Sequence, residues 1–175
     1  MIARPLRRVA RRLPRDVAMT APHESLAAPT TEWRDRLLTS PAKIRALLER
    51  TRRIAVLGIK TPESFQPAYY VPEYAHRSGY EIVPVPVYYP ELTELLGAPV
   101  YRRLVDVPGE IDLVNVFRRS KDVPAHLDDI LAKRPKAVWM QSGISHPEVA
   151  ERLAREGIDV VQDRCLMVEL RSIGR

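Results

Sequence analysis

From about residue 41 onward, short apolar runs alternate with stretches of helical period. Ile54 to Leu57 is an unbroken apolar run behind Arg52 and Arg53, the pattern of a strand covered on both faces. Gly58 follows, where the backbone can turn sharply or let another group approach without a side chain in the way. Tyr80–Val85, Ile111–Val116, Lys136–Met140 and Asp159–Val161 repeat the pattern and are predicted as four further strands. Pro84 and Pro86 stop ladder pairing at the end of the second. The pair Pro108 and Gly109 marks a turn before the third.

Helices are predicted between these runs. Ser40 before Pro41 is a start signal, because serine caps free amides and proline in the first turn loses no hydrogen bond. That helix should run to about Thr51 with Ile44, Leu47 and Leu48 on its inner face. Ala68 to Arg77 reads as a helix with Pro72 in or near its first turn and Gly79 closing it. Asp122–Lys133, His146–Glu156 and the short Leu166–Leu170 complete the regular helices. A helix is also predicted to begin near Thr31 and Glu32, a helical turn over Glu91–Leu96 ending at Gly97, and a short extended piece over Val100–Leu104.

Short strands alternating with helices require crossover connections, hence a parallel sheet. The fold class predicted is α/β: a Rossmann-like, doubly wound parallel sheet of about five strands with helices on both faces. Functional residues are expected just beyond the carboxyl ends of the strands.

The composition is that of an ordinary globular chain. Of 175 residues, 45% are hydrophobic and 29% charged, and no apolar run is long enough to span a bilayer. A single cysteine, Cys165, excludes an internal disulfide and a cysteine-rich zinc site, which suits a reducing cytoplasm. The net charge of +6 is concentrated at the front, where Arg4, Arg7, Arg8, Arg11, Arg12 and Arg15 face only Asp16. The rest is nearly neutral, which argues against a nucleic-acid-binding face. Residues 1–30 read as a basic, flexible tail and linker, and residues 31–175 as one domain. No nucleic-acid or membrane partner is expected, and a homodimer is compatible with the sequence.

The strand ends bring Gly58, Lys60, Thr61 and Ser64 together with Pro86, Val87, Tyr88 and Tyr89. Phe117, Arg118 and Arg119 follow the third strand, Gln141, Ser142 and Gly143 the fourth, and Asp163, Arg164 and Cys165 the fifth. This set lacks a paired acid and base, a nucleophile elbow and a histidine pair at metal spacing. It offers amides, hydroxyls, cations and aromatic rings, which suit an adenine nucleotide. The Gly-x-Gly-x-x-Gly fingerprint and the P-loop are both absent, and the residues alone lead no further than a nucleotide-type fold.

Five blocks carry a resemblance: Ile54–Gly58 (IAVLG), Gly79–Val85 (GYEIVPV), Ile111–Ser120 (IDLVNVFRRS), Val138–Leu153 (VWMQSGISHPEVAERL) and Val160–Glu169 (VVQDRCLMVE). From about Pro41 to Glu169 the chain resembles the small bacterial single-domain CoA-binding proteins, related to the CoA-binding domain of the succinyl-CoA synthetase alpha subunit. The resemblance implies coenzyme A or an acyl-CoA as the small-molecule nucleotide ligand. It implies that Gly58, Lys60, Thr61 and Ser64 seat the pyrophosphate, that Val85, Pro86 and Val87 pass beside the adenosine part, and that Phe117 and Arg118 lie near the base or pantetheine. Gln141, Ser142 and Gly143 are implied for the pantetheine arm. The chain departs from the usual pattern at Ile59, Lys60 and Gln66, and after the second strand, where two tyrosines stand in place of a basic residue.

Other residues have plainer readings. His146 before Pro147 reads as a helix-start residue, His76 and His126 as surface, and Trp139 as core. Arg118 and Arg119 either hold phosphate or pair with Asp122. Cys165 is either a small buried residue or a thiol beside the ligand. The function predicted is a CoA-binding or acyl-CoA-binding protein without catalytic machinery of its own. Alternatives are an acyl-CoA-dependent enzyme or its partner subunit, and a module for NAD or another dinucleotide.

Overall fold

The computed structural model describes residues 31–175; the basic segment expected to be a tail lies outside the described residues. Five parallel strands form the sheet: β1 (Arg53–Leu57), β2 (Glu81–Val85), β5 (Leu113–Val116), β6 (Ala137–Met140) and β7 (Asp159–Val161). They lie in the order β2-β1-β5-β6-β7. Two-residue strands β3 (Glu94–Leu95) and β4 (Ala98–Pro99) form a separate antiparallel ribbon. The helices are α1 (Pro41–Arg50), α2 (Pro67–Arg77), α3 (Leu127–Lys133), α4 (Pro147–Arg155) and α5 (Leu166–Ser172). Among the described residues, no helix is long and apolar enough to cross a membrane.

Alternation along the strands assigns each face its helices. Ile54, Val56, Leu113 and Trp139 pack with Leu47 and Leu48 of α1, Val71 and Ala75 of α2, and Leu166 and Leu170 of α5. The intervening Ala55, Leu57, Val114, Val116 and Val138 pack with Ile130 of α3 and with Val149, Ala150 and Leu153 of α4. Both faces are therefore covered, as the unbroken apolar strands require. From β1 the chain moves outward to β2 and then returns to β5 on the other side of β1. Strand order reverses there, so the helices that follow β1 and β5 lie on opposite faces and leave a crevice at the carboxyl ends of these two strands.

Local structure differs from expectation where proline and left-handed residues decide the winding. Pro72 is the sixth residue of α2, not part of its first turn. The Asp122–Lys133 segment begins as a 3-10 helix, Ser120–His126, and becomes α-helical only from Leu127; Pro124 has no amide to donate to Ser120 four residues back. Glu91–Leu96 is not a helical turn. Leu96 and Gly97 both take positive φ, +54° and +74°, the conformation of a tight hairpin turn, and so join β3 to β4. The expected extended piece over Val100–Leu104 is brief: the Tyr101 amide donates to Pro84 O at 3.0 Å, and a 3-10 turn, Leu104–Asp106, follows. The segment at Thr31–Arg36 is also a 3-10 helix.

Candidate functional site

Gly58 closes β1 at the crevice. Its amide donates to Val85 O of β2 at 2.8 Å, and the next strand end is tied across by Phe117 N–H to Leu57 O, also 2.8 Å. With φ at +86°, a β-carbon on Gly58 stands 2.5 Å from Phe117 O and 3.1 Å from Cδ of Arg118. Only glycine fits both the conformation and the space. The Arg118 stem thus crosses directly over the end of β1.

A cavity of about 670 Å³ opens at this point. From the expected residues it gathers Gly58, Lys60, Phe117, Arg118, Gln141, Ser142 and Gly143. Pro86 and Val87 line a neighbouring cavity of about 500 Å³ with Arg102, Arg103 and His126, and Tyr88 belongs to both walls. Val85 is buried in the sheet. Thr61 and Ser64 line neither cavity: the Ser64 hydroxyl donates to Thr61 O at 2.7 Å inside its own turn. The residues expected around one ligand therefore divide between two adjoining cavities and the turn beside them.

Charge in the larger cavity is one-sided. Lys60, Arg118 and Arg119 line it and, among the described residues, no carboxylate does. The Lys60 ammonium bonds to the neutral amide of Gln66. Arg119 pairs with Asp122 at 2.7 Å, and Arg118 shares the same carboxylate at only 3.7 Å. The Arg118 side chain is 14% exposed, and its buried Nε has no hydrogen-bond partner among the described residues. A desolvated guanidinium short of acceptors favours an anionic oxygen within reach. The same guanidinium draws the Tyr88 phenol below its ordinary value. On the other side of Tyr88, burial first and then Arg118 lower His126.

Behind the cavity lies a buried amide pair. The Leu166 amide donates to Gln141 Oε1 at 3.2 Å, and Gln141 Nε2 donates to Asn115 Oδ1 at 2.8 Å. The first bond fixes the orientation of the Gln141 amide, the second that of Asn115. Nδ2 of Asn115, wholly buried, is left without a partner. Gly143 is held by its neighbours as well, its amide donating to Asp163 Oδ1 at 2.7 Å.

The start of α2 supplies the remaining wall with Pro67, Ala68, Tyr70 and Val71. These residues were not expected at the site, since a helix read for its core face reveals little about what its first turn presents to a cleft. The Lys60 amide donates to Ala68 O at 3.1 Å, the carbonyl that Pro72, having no N–H, leaves free. Cys165 also lines the cavity, while Arg164 beside it pairs with Glu169 at 2.9 Å. His146 caps α4, accepting from the Val149 amide. Trp139 is core, its Nε1–H donating to Arg164 O at 2.7 Å.

Comparison with known proteins gives a consistent family. The profile of the family described as CoA binding domain matches residues 52–171. The uncharacterized protein YneT of Bacillus subtilis is 34% identical over 129 residues, covering 74% of this chain and 93% of its own. Among solved structures, cell-free ID.343 from Thermus thermophilus is similar with a TM-score of 0.70 and 41% identity, covering 77% of this chain and 98% of the other. A hypothetical protein from Pyrococcus horikoshii OT3 gives a TM-score of 0.69 and 28% identity, over 76% and 91% of the two chains.

Proposed function

The chain belongs to the CoA binding domain family, and from that premise we propose that it holds coenzyme A or an acyl-CoA at the crevice between β1 and β5, as a binding protein without catalytic machinery of its own. The observation that carries the reading is the larger cavity's lining, which among the described residues has three cations, no carboxylate, and an Arg118 whose buried Nε lacks an acceptor. CoA brings a pyrophosphate and a ribose phosphate, oxygens that need donors and positive charge rather than an acid and a base.

In this reading Lys60, Arg118 and Arg119 take phosphate oxygens, and Gly58 keeps the floor clear for them. Thr61 and Ser64 act through the turn that carries Lys60. Phe117 and Tyr88 flank the passage into the smaller cavity, where Pro86 and Val87 lie beside the adenosine part. Gln141, Ser142 and Gly143 follow the pantetheine arm towards Cys165. The protein binds and orients, and CoA itself supplies the thiol chemistry.

Calorimetric titration with CoA, 3′-dephospho-CoA and NAD tests this. CoA is expected to bind most tightly, with Arg118→Ala weakening it at least tenfold, a change of about 1.4 kcal/mol. Binding of NAD together with indifference to CoA would refute the proposal and favour a dinucleotide module.

A further inference from the structure

The wall made by α2 offers few amides to a phosphate. Proline at position 67 has no amide, and the amides of Tyr69 and Tyr70 both donate back to Gln66 O, at 2.8 and 3.2 Å. What the first turns of α2 present to the cavity is hydrocarbon and phenol, from Pro67, Ala68, Tyr70 and Val71. The cavity is therefore amphipathic: its cations come from the loops after β1 and β5, its apolar side from α2.

The apolar character continues outside the lining. Phe65 adjoins Gln66, which lines the cavity, and is 89% exposed. Its φ is +50°, a left-handed conformation that is uncommon for a bulky residue and carries strain. A polar residue or glycine would serve such an exposed turn at lower cost, so the phenylalanine has no evident role in stability. Exposed Tyr70 and Tyr88 line the same cavity. Among the described residues, two of the exposed large hydrophobic side chains thus line this opening and Phe65 follows on from its wall, while exposed Val87 belongs to the neighbouring cavity; apolar groups left in water at a cleft mark a binding surface.

Resting on the proposal that the crevice binds CoA, we infer that its preferred ligand is a CoA thioester with an apolar acyl chain, the phosphates on Lys60 and Arg118 and the chain running from the thiol end beside Cys165 along Val71 and Tyr70 towards Phe65. Free CoA fills the charged side and leaves the apolar side wet. An octanoyl chain removes that surface from water, while a short charged acyl group such as succinyl gains nothing there.

The experiment is a titration of the full chain with CoA, succinyl-CoA and octanoyl-CoA, repeated on Phe65→Ser, with sedimentation velocity on both proteins. Octanoyl-CoA is expected to bind at least tenfold more tightly than CoA or succinyl-CoA, and Phe65→Ser to cut that ratio at least threefold. Equal affinity for CoA and octanoyl-CoA overturns the inference and leaves CoA binding intact. Failure of every CoA compound to bind overturns the parent proposal as well. A change from dimer to monomer in Phe65→Ser with the ratio unchanged assigns the rim to a second copy of the chain and also overturns the inference.

Discussion

Gln141 is the residue on which the cavity and its foundation meet. It lines the cavity, accepts from the first amide of α5, and donates to the buried Asn115. The two members of this pair are not equivalent. Replacing Asn115 by leucine removes one unpaired donor, its own Nδ2, and creates another, Nε2 of Gln141; the two changes nearly offset. Replacing Gln141 by leucine leaves the Leu166 amide and Oδ1 of Asn115 without partners, and each such buried group costs about 1–3 kcal/mol. Urea titration should find Gln141→Leu the more destabilising by at least about 1 kcal/mol; the reverse order would show that Asn115, not Gln141, anchors the network. The sequence places Gln141 at a strand end and so nominates it as a ligand residue. Asn115 within an apolar strand gives no comparable signal, because a polar residue in a strand interior reveals its partner only once the neighbouring strand is in register.

At the level of elements, the apolar runs predict all five strands of the sheet and the helices between them, because burial on both faces leaves little freedom in their pattern. Two of the misplaced features turn on a missing proline amide, at Pro72 and Pro124, and the hairpin at Leu96 and Gly97 on positive φ. Pro72 is tolerated in mid-helix because the carbonyl it frees is used by Lys60, a tertiary contact that periodicity does not encode. The opposite end of the sheet has its own clamp in Asp112. Its Oδ2 accepts from the amides of Arg52 at 2.9 Å and Arg53 at 3.0 Å, and Oδ1 accepts from Lys136 at 2.7 Å, joining the approaches to β1, β5 and β6. Burial opposes ionisation of this carboxyl, but the bonds from Lys136, Arg53 and Arg52 prevail and hold it below its ordinary value. A folded-state value below the unfolded one, about 3.9, contributes stability that is fully present above that pH and lost as pH falls through the folded value. Asp112→Asn should therefore lower the urea midpoint at pH 7, and the gap from the parent protein should narrow below about pH 4. A gap that stays constant across this window would show that the carboxylate charge contributes nothing.

Across the whole molecule, the described five-stranded sheet ends in two edges, β2 and β7, and they are closed differently. Beyond β2, the Tyr101 amide bonds Pro84 O, and Pro84 itself has no donor to offer another chain, a common means of blunting an edge. Beyond β7 the chain uses the segment before α1. Leu37 pairs with Val160, the Leu38 amide donates to Val160 O at 2.8 Å, and the Leu38 side chain enters the core beside α1. Arg36 and Arg50 both reach Asp159, at 3.0 and 2.6 Å, and the guanidinium groups of Arg34 and Arg155 stand 4.4 and 4.8 Å from the centre of the Trp33 ring. This segment precedes the matched family region, which begins at residue 52, yet it completes the β7 edge of the sheet. A chain beginning at Ser40 loses the Leu38 burial, worth roughly 2 kcal/mol, and uncovers the Val160 carbonyl on a short apolar edge. Compared with a chain beginning at Thr31, it should unfold at a lower temperature and scatter more light as concentration rises, while CoA affinity measured below its unfolding temperature stays the same. Equal melting temperatures for the two chains would mean that residues 31–39 rest on the edge without supporting it; a loss of CoA affinity would mean that closing β7 also sets the position of Cys165, which follows β7 and lines the cavity.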